Sequence, residues 1–100
     1  MACNNCCKVI TASTITTSGG VTTITVPTGT TFISGECYCI GMFLTIPSGT
    51  NGTQVNITDG TTTYNIFNSV ANYWRPRCGL RSRTLLRLRF LNDPNHFLKI

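Results

Sequence analysis

The chain has 100 residues and a formal net charge of +5 at pH 7, with 41% hydrophobic residues and only 11% charged ones. That length predicts one domain with a modest core and little slack in stability. No apolar run reaches the about 20 residues of a membrane helix and the start lacks a signal-peptide apolar segment. The expectation is therefore a soluble protein made in a cytoplasm, compatible with a particle released by lysis.

A surface so poor in ions is covered instead by threonine, with serine and asparagine beside it, and few ions need desolvating when another protein docks. The acids are Glu36, Asp59 and Asp93, whereas the cations gather late, at Arg75, Arg77, Arg81, Arg83, Arg87, Arg89 and Lys99. A local charge implies a directed contact, with an acidic protein surface or a nucleic-acid backbone as target.

In chain order, residues 1–8 read as a polar, cysteine-bearing arm ahead of a single β domain over residues 9–100. Residues 8–17 and 21–26 flank Gly19-Gly20, a two-residue hairpin loop. That register sets Ile15 opposite Ile24, Thr17 opposite Thr22 and Ser13 opposite Val26. Val9, Ile15, Ile24 and Val26 then share one side and threonine dominates the other. Residues 37–46 alternate Tyr38, Ile40, Met42, Leu44 and Ile46 against Cys37, Cys39, Gly41, Phe43 and Thr45, as in a central strand covered on both faces. Two exits, 25–30 and 45–50, repeat a proline two residues before a glycine, which suits a type I turn.

Gln54–Thr58 and residues 61–67 flank Asp59-Gly60, which predicts a type I′ hairpin with Val55 opposite Tyr64 and Ile57 opposite Thr62. Residues 68–82 show no clear period; 69–73 suit either one helical turn or an ordered loop, and Pro76 interrupts regular structure. Residues 84–91 and 96–100 suggest a last hairpin. A three-residue loop would align Leu86, Leu88, Phe90, Leu98 and Ile100, and a tighter turn at Pro94-Asn95 would pair Leu91 with Leu98. The sum is an all-β fold of about seven short antiparallel strands, a compact sandwich or barrel.

Arg81, Arg83, Arg87 and Arg89 recur at even spacing, so a continuous strand would set four guanidiniums on one face. Arginine binds carboxylate or phosphate bidentately and tolerates interface burial. The stripe reads as an interface for an acidic protein, as a nucleic-acid contact, or as a solvated edge guarded by charge. Trp74 is the one tryptophan and no aromatic residues interleave with the arginines as stacking platforms, which weighs against nucleic acid.

Cys3 and Cys6 form C-x-x-C next to Cys7, Cys37 and Cys39 lie two apart, and Cys78 stands among arginines. Tetrahedral zinc takes two ligands from each of two places, so Cys3, Cys6, Cys37 and Cys39 are candidate ligands, although C-x-C departs from the usual second C-x-x-C knuckle. Disulfides and buried thiols are the other readings. His96 reads as capping or packing, and the three acids are scattered over turns. No nucleophile–base set, carboxylate pair or phosphate loop is visible, so no enzyme is expected.

The cysteine-bearing start, the Thr/Gly-rich meander with its V-P-T-G-T and I-P-S-G-T exits, and the late arginine strand together resemble the small auxiliary, or decoration, proteins of tailed-bacteriophage capsids. The resemblance is one of overall style. It implies a virion component present in many copies, bound to the major capsid protein or another virion protein and stabilising the shell. A small basic nucleic-acid-binding module and a zinc-stabilised adaptor are the alternatives.

Overall fold

A computed structural model describes residues 7–68, 72–92 and 94–100. Eight strands and no helix appear among them: β1 (Cys7–Thr11), β2 (Thr14–Ser18), β3 (Val21–Thr25), β4 (Cys37–Gly41), β5 (Gln54–Thr58), β6 (Thr63–Phe67), β7 (Leu85–Asn92) and β8 (Asn95–Lys99). They form one sheet in the order β1-β4-β7-β8-β6-β5-β3-β2, curled into a half-barrel. The expected all-antiparallel pattern is replaced by a mixed one, because β1–β4, β3–β5 and β6–β8 are parallel.

Strand count and curl share one cause. The single strand expected over residues 8–17 breaks at Ala12-Ser13, where the Ala12 amide donates to the Gly41 carbonyl (3.0 Å) and the Ser13 amide to the Thr25 carbonyl (2.7 Å). The two halves lie at opposite edges of the sheet yet are joined by two residues, a reach of about 10 Å from Thr11 to Thr14, so the sheet must bend to bring its edges together there. The break also costs one residue of alternation. Ile15 and Ala12 are buried, three apart instead of two, and Val9 turns outward at 59% exposure. Val9 therefore does not join Ile15, Ile24 and Val26 on the inner side.

The concave side holds the core. Ile24, Tyr38, Ile40, Val55, Ile57, Ile66, Leu88 and Phe97 are almost wholly buried there. Phe32, in the long connection from β3 to β4, seats on this core with its ring 4.9–5.5 Å from those of Tyr38, Tyr64, Phe90 and Phe97. The Tyr38 hydroxyl accepts the Ile33 amide at 2.7 Å and anchors the same connection.

The hairpins test the expected registers. Ile15 opposes Ile24 and Thr17 opposes Thr22 as expected, with Gly19 and Gly20 both at positive φ (59° and 80°). In the β5–β6 hairpin the buried face is the expected one, but Ile57 pairs with Tyr64 and Thr58 with Thr63. The Asp59 carboxylate accepts the Thr61 and Thr62 amides, each at 2.9 Å, and this widens the loop to four residues. The β7–β8 hairpin takes neither expected register: Asn92 pairs with Asn95 and Phe90 with Phe97. Phe97 thus joins Leu86, Leu88 and Phe90 inside, and Leu98 and Ile100 do not. Residues 1–6 of the arm and residues 69–71 of the possible helical turn lie outside the described residues; Cys7 and Lys8 belong to β1, and Tyr73 bridges to Phe67.

A chain of hydroxyls crosses the buried end of the sheet. Thr22, fully buried on β3, lies 2.6 Å from both the Thr17 and Thr53 hydroxyls, and Thr53 donates to the Thr50 carbonyl at 2.7 Å. The Thr50 hydroxyl in turn accepts the Leu80 amide at 2.9 Å, which fastens the long 68–84 connection to the sheet. Thr22→Val keeps the shape but removes the central link, and is expected to lower unfolding free energy by about 1–2 kcal/mol, read by denaturant titration. The Asp59 carboxyl is held below its ordinary pKa by the Thr62 and Thr61 amides. A depressed carboxylate stabilises the fold above its unfolded pKa, and the benefit fades as pH falls through the folded value. Asp59→Ala should therefore lower the melting temperature at neutral pH, with the gap closing in strong acid.

Candidate partner-binding face

The antiparallel pairing of β4 with β7 determines what the convex side displays. Tyr38 and Ile40 on β4 meet Leu88 and Leu86 on the inner side. The outward residues are then forced by alternation: Cys37 opposite Arg89, Cys39 opposite Arg87, and Gly41 opposite Leu85. The β1 register adds Val9 beside Cys39, and the Ile100 amide, bonded to the Arg87 carbonyl at 3.2 Å, brings the C-terminus alongside.

This face is apolar as well as cationic. Val9, Phe43, Leu85 and Ile100 are 59%, 57%, 48% and 45% exposed. Phe43 lies back over Gly41, and a Cβ at Gly41 would collide with the Phe43 ring, so glycine is required for the ring to lie flat there. Phe43, Leu44, Thr45, Ser82 and Arg83 then line a shallow open cleft of about 510 Å³.

The expected row of four guanidiniums does not form. Only Arg87 and Arg89 lie on β7, whose strand begins at Leu85. Arg81 and Arg83 belong to the preceding turn. The Met42 carbonyl accepts the Arg83 amide (2.7 Å) while the Met42 amide donates to the Thr84 carbonyl (2.9 Å), so two residues oppose one and a bulge results. Arg83 occupies its left-handed position with φ of 64°, where glycine is usual. Ser82 Oγ donates to the Leu44 carbonyl at 2.9 Å and Thr84 Oγ1 to the Arg81 carbonyl at 2.6 Å, which holds the turn. An arginine kept where glycine fits better is a strained position of the kind that clusters at binding sites.

Arg75 and Arg77 lie elsewhere. Arg75 Nη1 donates to the Gly52 carbonyl at 3.2 Å, and Arg77 is exposed in the turn closed by the Gly79 amide on the Pro76 carbonyl at 3.2 Å. The arginines thus divide into a β7 pair, a bulge pair and a loop pair. Arg89 Nη2 contacts Cys37 Sγ at 3.6 Å. Lys8 pairs with Glu36 at 3.8 Å, both solvent-facing. Lys99 reaches over the Trp74 ring, 5.7 Å from its centroid, and burial together with the nearby Arg87 charge holds its pKa below the ordinary lysine value.

Cys37 and Cys39 share the outward face of β4, half-buried and buried respectively, and Cys78 is exposed. Cys3 and Cys6, the other two candidate zinc ligands, lie outside the described residues. No group of three or more metal-ligating side chains occurs among the described residues. His96 packs edge-on to the Phe67 ring at 5.4 Å, beside the Pro94 carbonyl. No described helix is long and apolar enough to cross a membrane.

The sequence predicts Phe43 on a covered face of a strand over residues 37–46, but β4 ends at Gly41 and Phe43 is exposed beside a bulge and cleft that no local pattern announces. The signal for the ring alone was present in Gly41-Met42-Phe43, a glycine two residues before an aromatic on one strand face, which allows the ring to cover the gap. Arg83→Gly is expected to leave unfolding free energy unchanged or to raise it by up to about 1 kcal/mol, because glycine accepts positive φ at little steric cost. Denaturant titration checks this.

No protein-family model, curated protein or solved structure matches the chain.

Proposed function

We propose that this chain is an auxiliary, decoration-type protein of a tailed-phage virion. It seats on an acidic surface of the capsid shell through the convex face of β4 and β7 and is present in many copies. The observation that carries the reading is the joint display of exposed Val9, Phe43 and Leu85 beside Arg83, Arg87 and Arg89 on one side of the sheet. Apolar side chains left in water beside arginine are the composition of the centre of a protein interface, and they gain free energy when covered. Arginine adds bidentate recognition of carboxylates and steers the approach.

The rest of the convex side supports the same division of labour. Thr14, Thr25, Thr58 and Thr63 lie in one cross-strand row, and Thr16, Thr23, Asn56 and Asn65 in the next. Thr14, Thr16 and Thr63 in these rows are exposed and the others half-buried, which makes an uncharged polar surface. Binding to the assembled shell and not to its separated subunits would stabilise the shell by mass action, and repetition multiplies modest contacts into avidity.

The test is purification of the native protein at moderate salt, with mass spectrometry of what accompanies it. Co-sedimentation with a large particle whose shell protein is acidic is the expected result. Arg81→Glu and Arg89→Glu, both at exposed positions, should each weaken attachment at least about tenfold, whereas Thr16→Glu on the threonine face should not. Tight, salt-sensitive binding of the isolated protein to DNA or RNA would overturn the reading in favour of a nucleic-acid module. Stoichiometric zinc with unfolding by chelator would favour the adaptor.

A further inference from the structure

Arg83 is the one described residue other than glycine at positive φ (64°). Glycine would sit there with little steric cost, so the side chain is kept against a backbone preference, as happens where a ligand uses it. The Arg83 guanidinium makes no hydrogen bond or ion pair among the described residues. Of the described acids, Glu36 pairs with Lys8 and Asp59 accepts the Thr61 and Thr62 amides. Arg81, exposed two residues earlier in the same turn, adds a second positive charge.

The cleft that Arg83 shares with Phe43 has two walls of different chemistry. One is apolar. The exposed Phe43 ring, laid over Gly41, stands beside Leu44, which packs against the core. The other is the Ser82-Arg83 turn. Ser82 Oγ donates to the Leu44 carbonyl at 2.9 Å and the Arg83 amide to the Met42 carbonyl at 2.7 Å, which ties the walls together. The cleft is thus formed before a partner arrives, which lowers the ordering cost of binding. Its volume of about 510 Å³ suits a small ligand-sized group, within the roughly 300–1,000 Å³ of such sites, and not a whole protein surface.

We propose that this cleft is a socket for one segment of the partner, an aromatic side chain flanked by a carboxylate. The incoming ring packs on Phe43, offset or edge-on, and the carboxylate takes two N–H donors of the Arg83 guanidinium. Charge complementarity sets the sign of the occupant, because residues 43–45 and 81–84 hold two arginines and no acid. A nucleic-acid strand fits less well. It needs a cationic groove that follows the backbone and aromatic platforms in series, and one exposed ring with two arginines supplies neither. The socket rests on the reading that the convex face meets an acidic protein, and it specifies what that protein must present. The carboxylate belongs to an aspartate or glutamate side chain or to a chain end, and both offer the same two oxygens.

The experiment titrates the isotope-labelled full chain at low salt with three short peptides, followed by backbone amide chemical shifts. Two carry the proposed group: Gly-Phe-Asp-Gly blocked at both ends, and Gly-Gly-Phe with a free carboxyl end. The third, Gly-Phe-Asn-Gly blocked at both ends, keeps the ring and removes the charge. Saturable shifts confined to residues 42–45 and 81–85 are expected with one or both charged peptides, and the tighter of the two identifies the source of the carboxylate. The Asn peptide should bind at least about tenfold more weakly, a comparison that needs no variant to fold. Arg83→Gly and Phe43→Ser should each weaken binding at least about tenfold, whereas Thr16→Glu should not change it. The proposal is overturned if neither charged peptide saturates these amides, if the Asn peptide binds as well, or if a mixed-sequence single-stranded DNA oligonucleotide occupies them more tightly. Failure of the peptides while particle attachment still responds to Arg89→Glu removes the socket and leaves the attachment. Peptide binding with no acidic particle in the co-sedimentation test removes the shell as partner and leaves the socket.

Discussion

The ladder between β4 and β7 is the constraint on which the rest of the molecule depends. Its inner residues, Tyr38, Ile40, Leu86 and Leu88, are part of the core that the curled sheet encloses. Its outer residues are then decided by the pleat, so burying one set of side chains obliges Arg87, Arg89 and Leu85 to face outward. Where the ladder ends, at Met42, a bulge turns Arg83 back toward Phe43 and creates the cleft. Core and candidate interface are two sides of one pairing, and a slip of one residue would exchange them.

The curl has a second origin at Ala12-Ser13. A chain that moves from one edge of an eight-strand sheet to the other through two residues cannot lie flat. The Phe32 ring fills space on the concave side once the sheet bends. The hydroxyl chain through Thr22 and Thr53 ties the start of β3 to the 50–53 turn without any charge. A small domain with few ions thus relies on aromatic packing and on bonded hydroxyls such as those of Thr22, Thr50 and Thr53, and it leaves most of its cations for the surface.

The sequence made legible those features that depend on local chemistry. The Gly19-Gly20 loop determined the pairing of Ile15 with Ile24, and alternation identified the buried side of β5, β6 and β7. Features that depend on partners distant in the chain were not legible. The parallel pairing of β1 with β4 joins segments 30 residues apart in register, and no local pattern announces it. The Asp59 side chain overruled the two-residue turn implied by Asp59-Gly60 by accepting two amides at once. The arginine stripe illustrates the limit most directly. Even spacing implied one row of four, but period-two logic holds only inside a ladder, and the bulge at Arg83 ends the ladder before Arg81 is reached. The convex face survives that correction in a changed form, as two strand arginines, two bulge arginines and an aromatic ring that spacing alone did not bring in.

If the convex face of β4 and β7 is the attachment surface, it must be the part of the protein that becomes shielded on assembly. Hydrogen–deuterium exchange compared between the free protein and the protein on its native particle measures this directly. The account predicts slowed exchange over residues 42–45 and 81–91, with the β2 and β3 amides unchanged. Slowing confined to the β2–β3 hairpin, with residues 81–91 exchanging as in the free protein, would contradict it.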